Sequence, residues 1–305
     1  MNTAQLKRIV VVFVVVLLLW GTLEIVGKAR DERETVSLLP AIERNDLDLV
    51  RIERESDTVE LRLSADSWTV NGYAASSDAV RELFDAVLEP VDGELIATGA
   101  GVHVRMGVDS VTGKRLEFRS GEQLVAGVIF GKRGRGFNTS YVRPVDELSV
   151  YQYNGRLTSL VDRRIEDWRD KVIVQVEADS VGRVAVRRGR ERFSVERVDG
   201  GWRLNSTEEA DSAAVARMLE RYGSVTASGF PTEAQADSVD FRRPDRAITL
   251  LGLTGDTLAA LLLDSTQAGF WVRHASGGTV YKILQWAADQ LVPADSTLTR
   301  AVSGG

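Results

Sequence analysis

One order of strand, tryptophan and helix occurs twice in these 305 residues, and the repeat constrains the fold more than any other feature. Ser67-Trp68-Thr69-Val70 follows a strand-like run at 58–63, and Gly201-Trp202-Arg203-Leu204 follows 193–198 in the same way. A helical pattern comes next in each copy. Val80, Leu83, Phe84, Val87 and Leu88 recur at the spacing of one helix face, and Val215, Met218, Leu219 and Tyr222 repeat it 135 positions later. Ser76 and Asp211 stand where an N-cap oxygen is wanted. Gly107-Val108-Asp109 matches Ser238-Val239-Asp240, and both lead into short strands at 116–118 and 247–251. Tyr141-Val142-Arg143 with Val150-Tyr151 matches Trp271-Val272-Arg273 with Val280-Tyr281, and small apolar helices at 157–161 and 284–292 close the copies.

Before the repeat lies the run IVVVFVVVLLLWGTLEIVG, residues 9–27, with Glu24 its single charge. As a helix it would extend about 28 Å, close to the hydrocarbon thickness of a bilayer. It reads as a single transmembrane anchor, with the short amino-terminal tail cytoplasmic and the body extracytoplasmic. The expected fold class is α+β: an N-terminal transmembrane helix, then two tandem, similar antiparallel-sheet units each carrying one main helix. The expected boundaries are 1–30 for tail and anchor, 31–45 for a linker, 46–171 and 172–298 for the two repeat units, and 299–305 for a flexible tail.

This arrangement resembles the bacterial family known as domain of unknown function 4340. The likeness rests on the amino-terminal span, the Trp68 strand, the helix at 76–88, Gly107-Val108, Gly131 through Tyr141-Val142-Arg143 with Val150-Tyr151, and Trp168-Arg169-Asp170-Lys171. One departure is that Gly107-Val108-Asp109 lacks the proline that often follows in that family, and Pro244 supplies something like it only in the second copy. The resemblance implies a membrane-anchored protein at the bacterial inner membrane, often associated with ABC transporters of the gliding-motility kind. It brings no catalytic residues.

Catalytic chemistry finds little material. The chain has no cysteine and two histidines, His103 and His274, so thiolate nucleophiles, Cys-based zinc sites and HExxH helices are excluded. His103 alternates with Val102 and Val104 and reads as a solvent-side strand residue. No GxSxG occurs. Asp109 and Asp240 sit at matched positions and read as turn formers, Glu208-Glu209 as solvated helix-start charges, and Arg143 and Arg273 as partners for a carboxylate across the sheet.

The segment Gly131-Lys132-Arg133-Gly134-Arg135-Gly136 has the ingredients of a phosphate cradle, but strands flank it where a phosphate loop needs a following helix. The second copy has aspartate, one glycine and no lysine there. The segment therefore reads as a hairpin, with Lys132, Arg133 and Arg135 at an exposed tip as candidate partner-docking residues. Residues 1–30 carry a net +3, which leaves −9 on the remainder of a −6 chain. An acidic body argues against nucleic acid as a partner. The expected function is a non-catalytic accessory or scaffolding protein that binds no cofactor and no nucleotide. Its expected partners are the bilayer, through residues 9–27, and ABC-type permease or accessory subunits. The alternative is a periplasmic module binding a glycan, lipid or peptide.

Overall fold

The structure is a computed structural model, and it describes residues 35–236 and 239–299. The chain divides into two compact units between Arg169 and Asp170. The first holds β1 (Thr35–Ser37), β2 (Leu49–Glu53), β3 (Thr58–Ser64), β4 (Ser67–Val70), β5 (Tyr73–Ala74) and the helix α1 (Ser77–Leu88). It continues with β6 (Asp92–Ala97), β7 (Lys114–Ser120), β8 (Gln123–Arg133), β9 (Thr139–Pro144) and β10 (Val150–Asn154). These strands form one ten-stranded antiparallel sheet in the order β1-β6-β10-β9-β8-β7-β2-β3-β4-β5.

The second unit holds β11 (Val172–Val174), β12 (Val181–Arg188), β13 (Glu191–Val198), β14 (Gly201–Leu204), β15 (Glu208–Glu209), the helix α2 (Ser212–Tyr222) and β16 (Val225–Thr226). After it come β17 (Arg246–Gly252), β18 (Thr257–Thr266), β19 (Gly269–His274), β20 (Gly277–Ile283) and the helix α3 (Gln285–Leu291). Eight of these strands form a sheet in the order β20-β19-β18-β17-β12-β13-β14-β15, and β11 pairs with β16. Strand for strand this is the order β10-β9-β8-β7-β2-β3-β4-β5 of the first unit. Registers agree as well: Val50 faces Leu61 and Phe118, and Val184 faces Val195 and Leu250.

Local chemistry explains the repeated turn between sheet and helix. Asn71 and Asn205 both sit at positive φ, which asparagine tolerates, and the Oδ1 of each accepts the amide of Glu60 or Ser194 across the hairpin. Ser76 Oγ accepts the Ala79 amide, and Asp211 Oδ1 accepts those of Ala213 and Ala214, so each helix starts on a capped turn. The buried faces of α1 and α2 (Val80, Leu83, Phe84 and Val87; Val215, Met218, Leu219 and Tyr222) lie on separate cores built from the inward residues of each sheet.

A second layer covers part of the outward face of the first sheet. Val108 packs with Ile129 and Val150 there, and Val102, Met106 and Tyr141 join them. His103 opens the one-turn helix His103–Met106 in this layer, is 8% exposed, and its Nε2 lies 2.9 Å from the Leu148 carbonyl oxygen. The solvent-side strand expected around it is corrected: the segment is a helical turn that buries His103 while Val104 is exposed.

Among the described residues no helix is long and apolar enough to cross a membrane. The longest, α1, has 12 residues and rises about 18 Å against a hydrocarbon core of about 30 Å. Residues 9–27, where the anchor was expected, lie outside the described residues. The expected fold class is corrected to a mostly β-sheet chain with several helices. The single-pass inner-membrane topology and the bilayer contact are withdrawn with it.

Candidate functional site

The outward faces of the two sheets differ at matched positions. In the first unit the face is a ladder of paired charges. Arg51 and Arg62 reach Glu60 at 2.9 and 2.7 Å, and Arg115 and Arg119 reach Glu117 at 2.6 and 3.1 Å. Hydrogen bonds from Arg62, then Arg51, hold the Glu60 carboxyl below the usual carboxylate range, and the bond to Glu60 raises the Arg51 guanidinium in turn. Each of these six side chains is thus occupied by a neighbour of opposite charge.

In the second unit the register puts Ala185 where Arg51 stands, Ser194 for Glu60, Thr249 for Glu117 and Ala247 for Arg115. Small side chains replace the ladder and leave a basin of about 410 Å³, lined by Arg183, Ala185, Arg187, Arg192, Ser194 and Thr249 among others. Its rim is cationic. Arg187 lies directly opposite Arg192 across β12 and β13, an arrangement of like charges that costs stability unless something neutralises it. Arg192 makes no ion pair among the described residues, Arg187 Nη2 donates to the Pro244 carbonyl at 2.7 Å, and Arg183 Nη2 donates to Ser194 Oγ at 3.3 Å. Two carboxylates lie near. Glu196 faces Arg183 across the strands without pairing to it, and Asp245 is held below the usual carboxylate range chiefly by Ser265, with Arg246 and Arg187 adding their charge.

The glycines of the β8–β9 connection have structural reasons. A Cβ on Gly131 would lie 2.3 Å from the Met106 carbonyl oxygen, so this glycine lets the covering segment approach β8, while Gly136 has φ +117°. The connection is a hairpin in which Arg133 pairs with Ser140 and the Gly134 amide donates to Thr139 O at 3.0 Å. Lys132, Arg133 and Arg135 are exposed on it. They are not equivalent: Lys132 Nζ donates to the Arg105 carbonyl at 2.9 Å, whereas Arg133 and Arg135 stand beside Phe137, which is 96% exposed. Sequence reasoning passed over Phe137, although an aromatic residue in a five-residue polar turn was a signal to be read.

Other expectations change. Arg143 pairs with no carboxylate; it is buried and donates through Nε to Val108 O at 3.1 Å and through Nη1 to Glu147 O at 2.8 Å, pinning the covering layer to β9. Arg273 lies over the Phe241 ring at 4.6 Å. Glu208 and Glu209 form β15 and do not start a helix. His274 Nε2 sits 2.6 Å from the Ile173 carbonyl oxygen. Among the described residues no three His, Cys, Asp or Glu side chains are grouped to hold a metal ion.

Comparison with curated proteins and with solved structures gives no match. The family profile described as "Domain of unknown function (DUF4340)" matches residues 68–244, from the start of β4 region in the first unit to the approach to β17 in the second. That description carries no activity or partner, so the transporter association implied by resemblance is withdrawn together with the anchor on which it rested. Since the match covers more than half of the sequence and runs through the repeated strand, tryptophan and helix, the chain belongs to the DUF4340 family.

Proposed function

We propose that the chain is a non-catalytic binding module whose second unit holds an extended acidic peptide segment on the outward face of its sheet. One observation carries this: at matched register positions an Arg–Glu ladder in the first unit is replaced by Ala185, Ser194 and Thr249 under an arginine rim in the second. Duplication provides the control, because the fold needs neither arrangement. Of glycan, lipid and peptide, the chemistry favours peptide. The basin has no exposed aromatic side chain on which a sugar could stack and no broad apolar floor for a lipid tail.

Arg183 and Arg187 are separated by four residues of β12, or about 13 Å, which matches carboxylates at i and i+4 of an extended peptide. Guanidinium groups suit such carboxylates because their paired N–H groups fit both oxygens. The contacts are solvent-exposed and weak, each worth about 0.2–1 kcal/mol, so affinity falls with salt. The hairpin residues Arg133 and Arg135, beside Phe137, are proposed as a separate partner-docking contact of the first unit.

A fluorescent peptide of alternating Glu and Thr tests the reading by anisotropy. Saturable binding is expected, lost at high salt and weakened about tenfold when Arg187 and Arg192 are both changed to Ala. Absence of saturable binding at low salt, or an unaltered affinity in that double variant, overturns it. Tighter binding of polygalacturonate than of the peptide would replace peptide by acidic glycan.

A further inference from the structure

The units differ in a second place, beneath the main helix. In the first unit the space is filled. Trp168 is fully buried, the Arg163 guanidinium lies 4.8 Å from its ring centroid, and Arg163 also pairs with Glu82 of α1. The matching position in the second unit is Leu298, as the backbone shows: the Ser76 amide donates to Trp168 O at 2.8 Å and the Asp211 amide to Leu298 O at 2.9 Å, and Ser76 and Asp211 are the caps of α1 and α2. Counting from those caps, Arg217 stands where Glu82 does. The segment from Val292 to Leu298 is one residue shorter than that from Val161 to Trp168, and it contains no arginine.

Where the first unit has the indole and its covering arginine, the second has a cavity of about 390 Å³. Its apolar wall is Ala214, Met218, Pro293 and Leu298, all buried. Its rim carries Arg188, Arg217 and Arg221. Asp289 is the one carboxylate among the lining residues, and it is already engaged by Arg188 at 3.1 Å and by Arg246 at 2.7 Å. Arg217 has no ion-pair partner among the described residues, and Arg221 Nη1 reaches the Gln290 carbonyl at 3.4 Å. Arg217 and Arg221 are four apart on α2, so they are surface neighbours whose like charges repel unless an anion lies between them.

We infer that this cavity binds a small organic anion with an apolar body, a medium-chain carboxylate. The head sits between Arg217 and Arg221, where two guanidinium groups can donate to its oxygens. The chain runs along Met218 and Leu298, where each methylene is removed from water. Size supports the choice, since the cavity lies toward the lower end of the roughly 300–1,000 Å³ of small-molecule sites and is too small for a two-chain lipid. This site is separate from the arginine-rimmed sheet face, so either can fail without the other.

Titration calorimetry of the full chain with hexanoate, octanoate and decanoate, below their micellar concentrations, provides the test. Affinity should rise about fourfold for each methylene added, and octanol should bind at least roughly tenfold more weakly than octanoate. Arg217→Glu, which installs the residue of the first unit at an exposed position, should reduce octanoate affinity by at least about tenfold. Leu298→Trp should abolish binding while retaining a cooperative melt; if that variant fails to fold, Arg217→Glu decides alone. Binding of octanol as tight as octanoate, no octanoate binding at millimolar concentration, or wild-type affinity in Arg217→Glu would overturn the inference.

Discussion

Asp109 accepts the Val111 and Thr112 amides at 2.9 and 3.0 Å and the Thr112 hydroxyl at 2.6 Å, so its charge closes the turn that leads into β7. The Thr112 hydroxyl, then the two amides, lower its pKa to about 2. A carboxyl depressed in the folded state contributes stability above its unfolded pKa, about 3.9, and loses that contribution as the pH falls through the folded value. Carbon-detected NMR titration of Asp109 should give a midpoint near 2, and Thr112→Val should move it upward. A midpoint in the ordinary aspartate range in the unaltered chain would contradict the turn as described. The turn role of Asp109 and Asp240 was legible because Asx turns are local; Asp240 Oδ1 likewise accepts an amide two residues on, that of Arg242. The partners of Arg143 and His103 were not legible. Arg143 bonds to the Val108 carbonyl of the covering segment, and His103, within that segment, bonds to the Leu148 carbonyl between β9 and β10, so each of these contacts joins residues about 35 or 45 positions apart.

Helix and sheet are joined in each unit by a tryptophan at the same register position. Trp68 faces Leu63 across the hairpin, is 8% exposed, and its ring lies 5.4 Å from that of Phe84 on α1; Trp202 faces Arg197, is 9% exposed, and has the Arg197 guanidinium 5.1 Å from its ring. Replacing either by Ala should cost about 3–5 kcal/mol by loss of burial and by the cavity left behind, measurable by chemical denaturation. A loss below about 1 kcal/mol in either would show that the ring does not anchor its helix. These elements could be read in the sequence because helical periodicity, N-caps and asparagine turns are set within a few residues. Gly131 was harder, since its reason is the approach of residue 106 from another part of the chain. A glycine kept for close backbone approach and one kept for phosphate look alike in sequence.

Across the whole molecule the duplication is the organising fact: eight strands of each unit share one order and one register, and each unit has its own core. Its existence was readable from the spacing of tryptophans and helices. The asymmetry between its outward faces was not, because Arg183, Arg187 and Arg192 in a linear sequence look like ordinary solvated strand residues. Only the cross-strand register shows that they stand around positions where the first unit keeps paired charges. The proposed function turns on whether the absence of the ladder makes this face a binding face. Restoring it, with Ala185→Arg, Ser194→Glu and Thr249→Glu together, and measuring affinity for the alternating Glu-Thr peptide by anisotropy tests this most directly. The account predicts a cooperative melt like that of the unaltered chain with peptide binding lost; a folded triple variant that binds the peptide undiminished would contradict it.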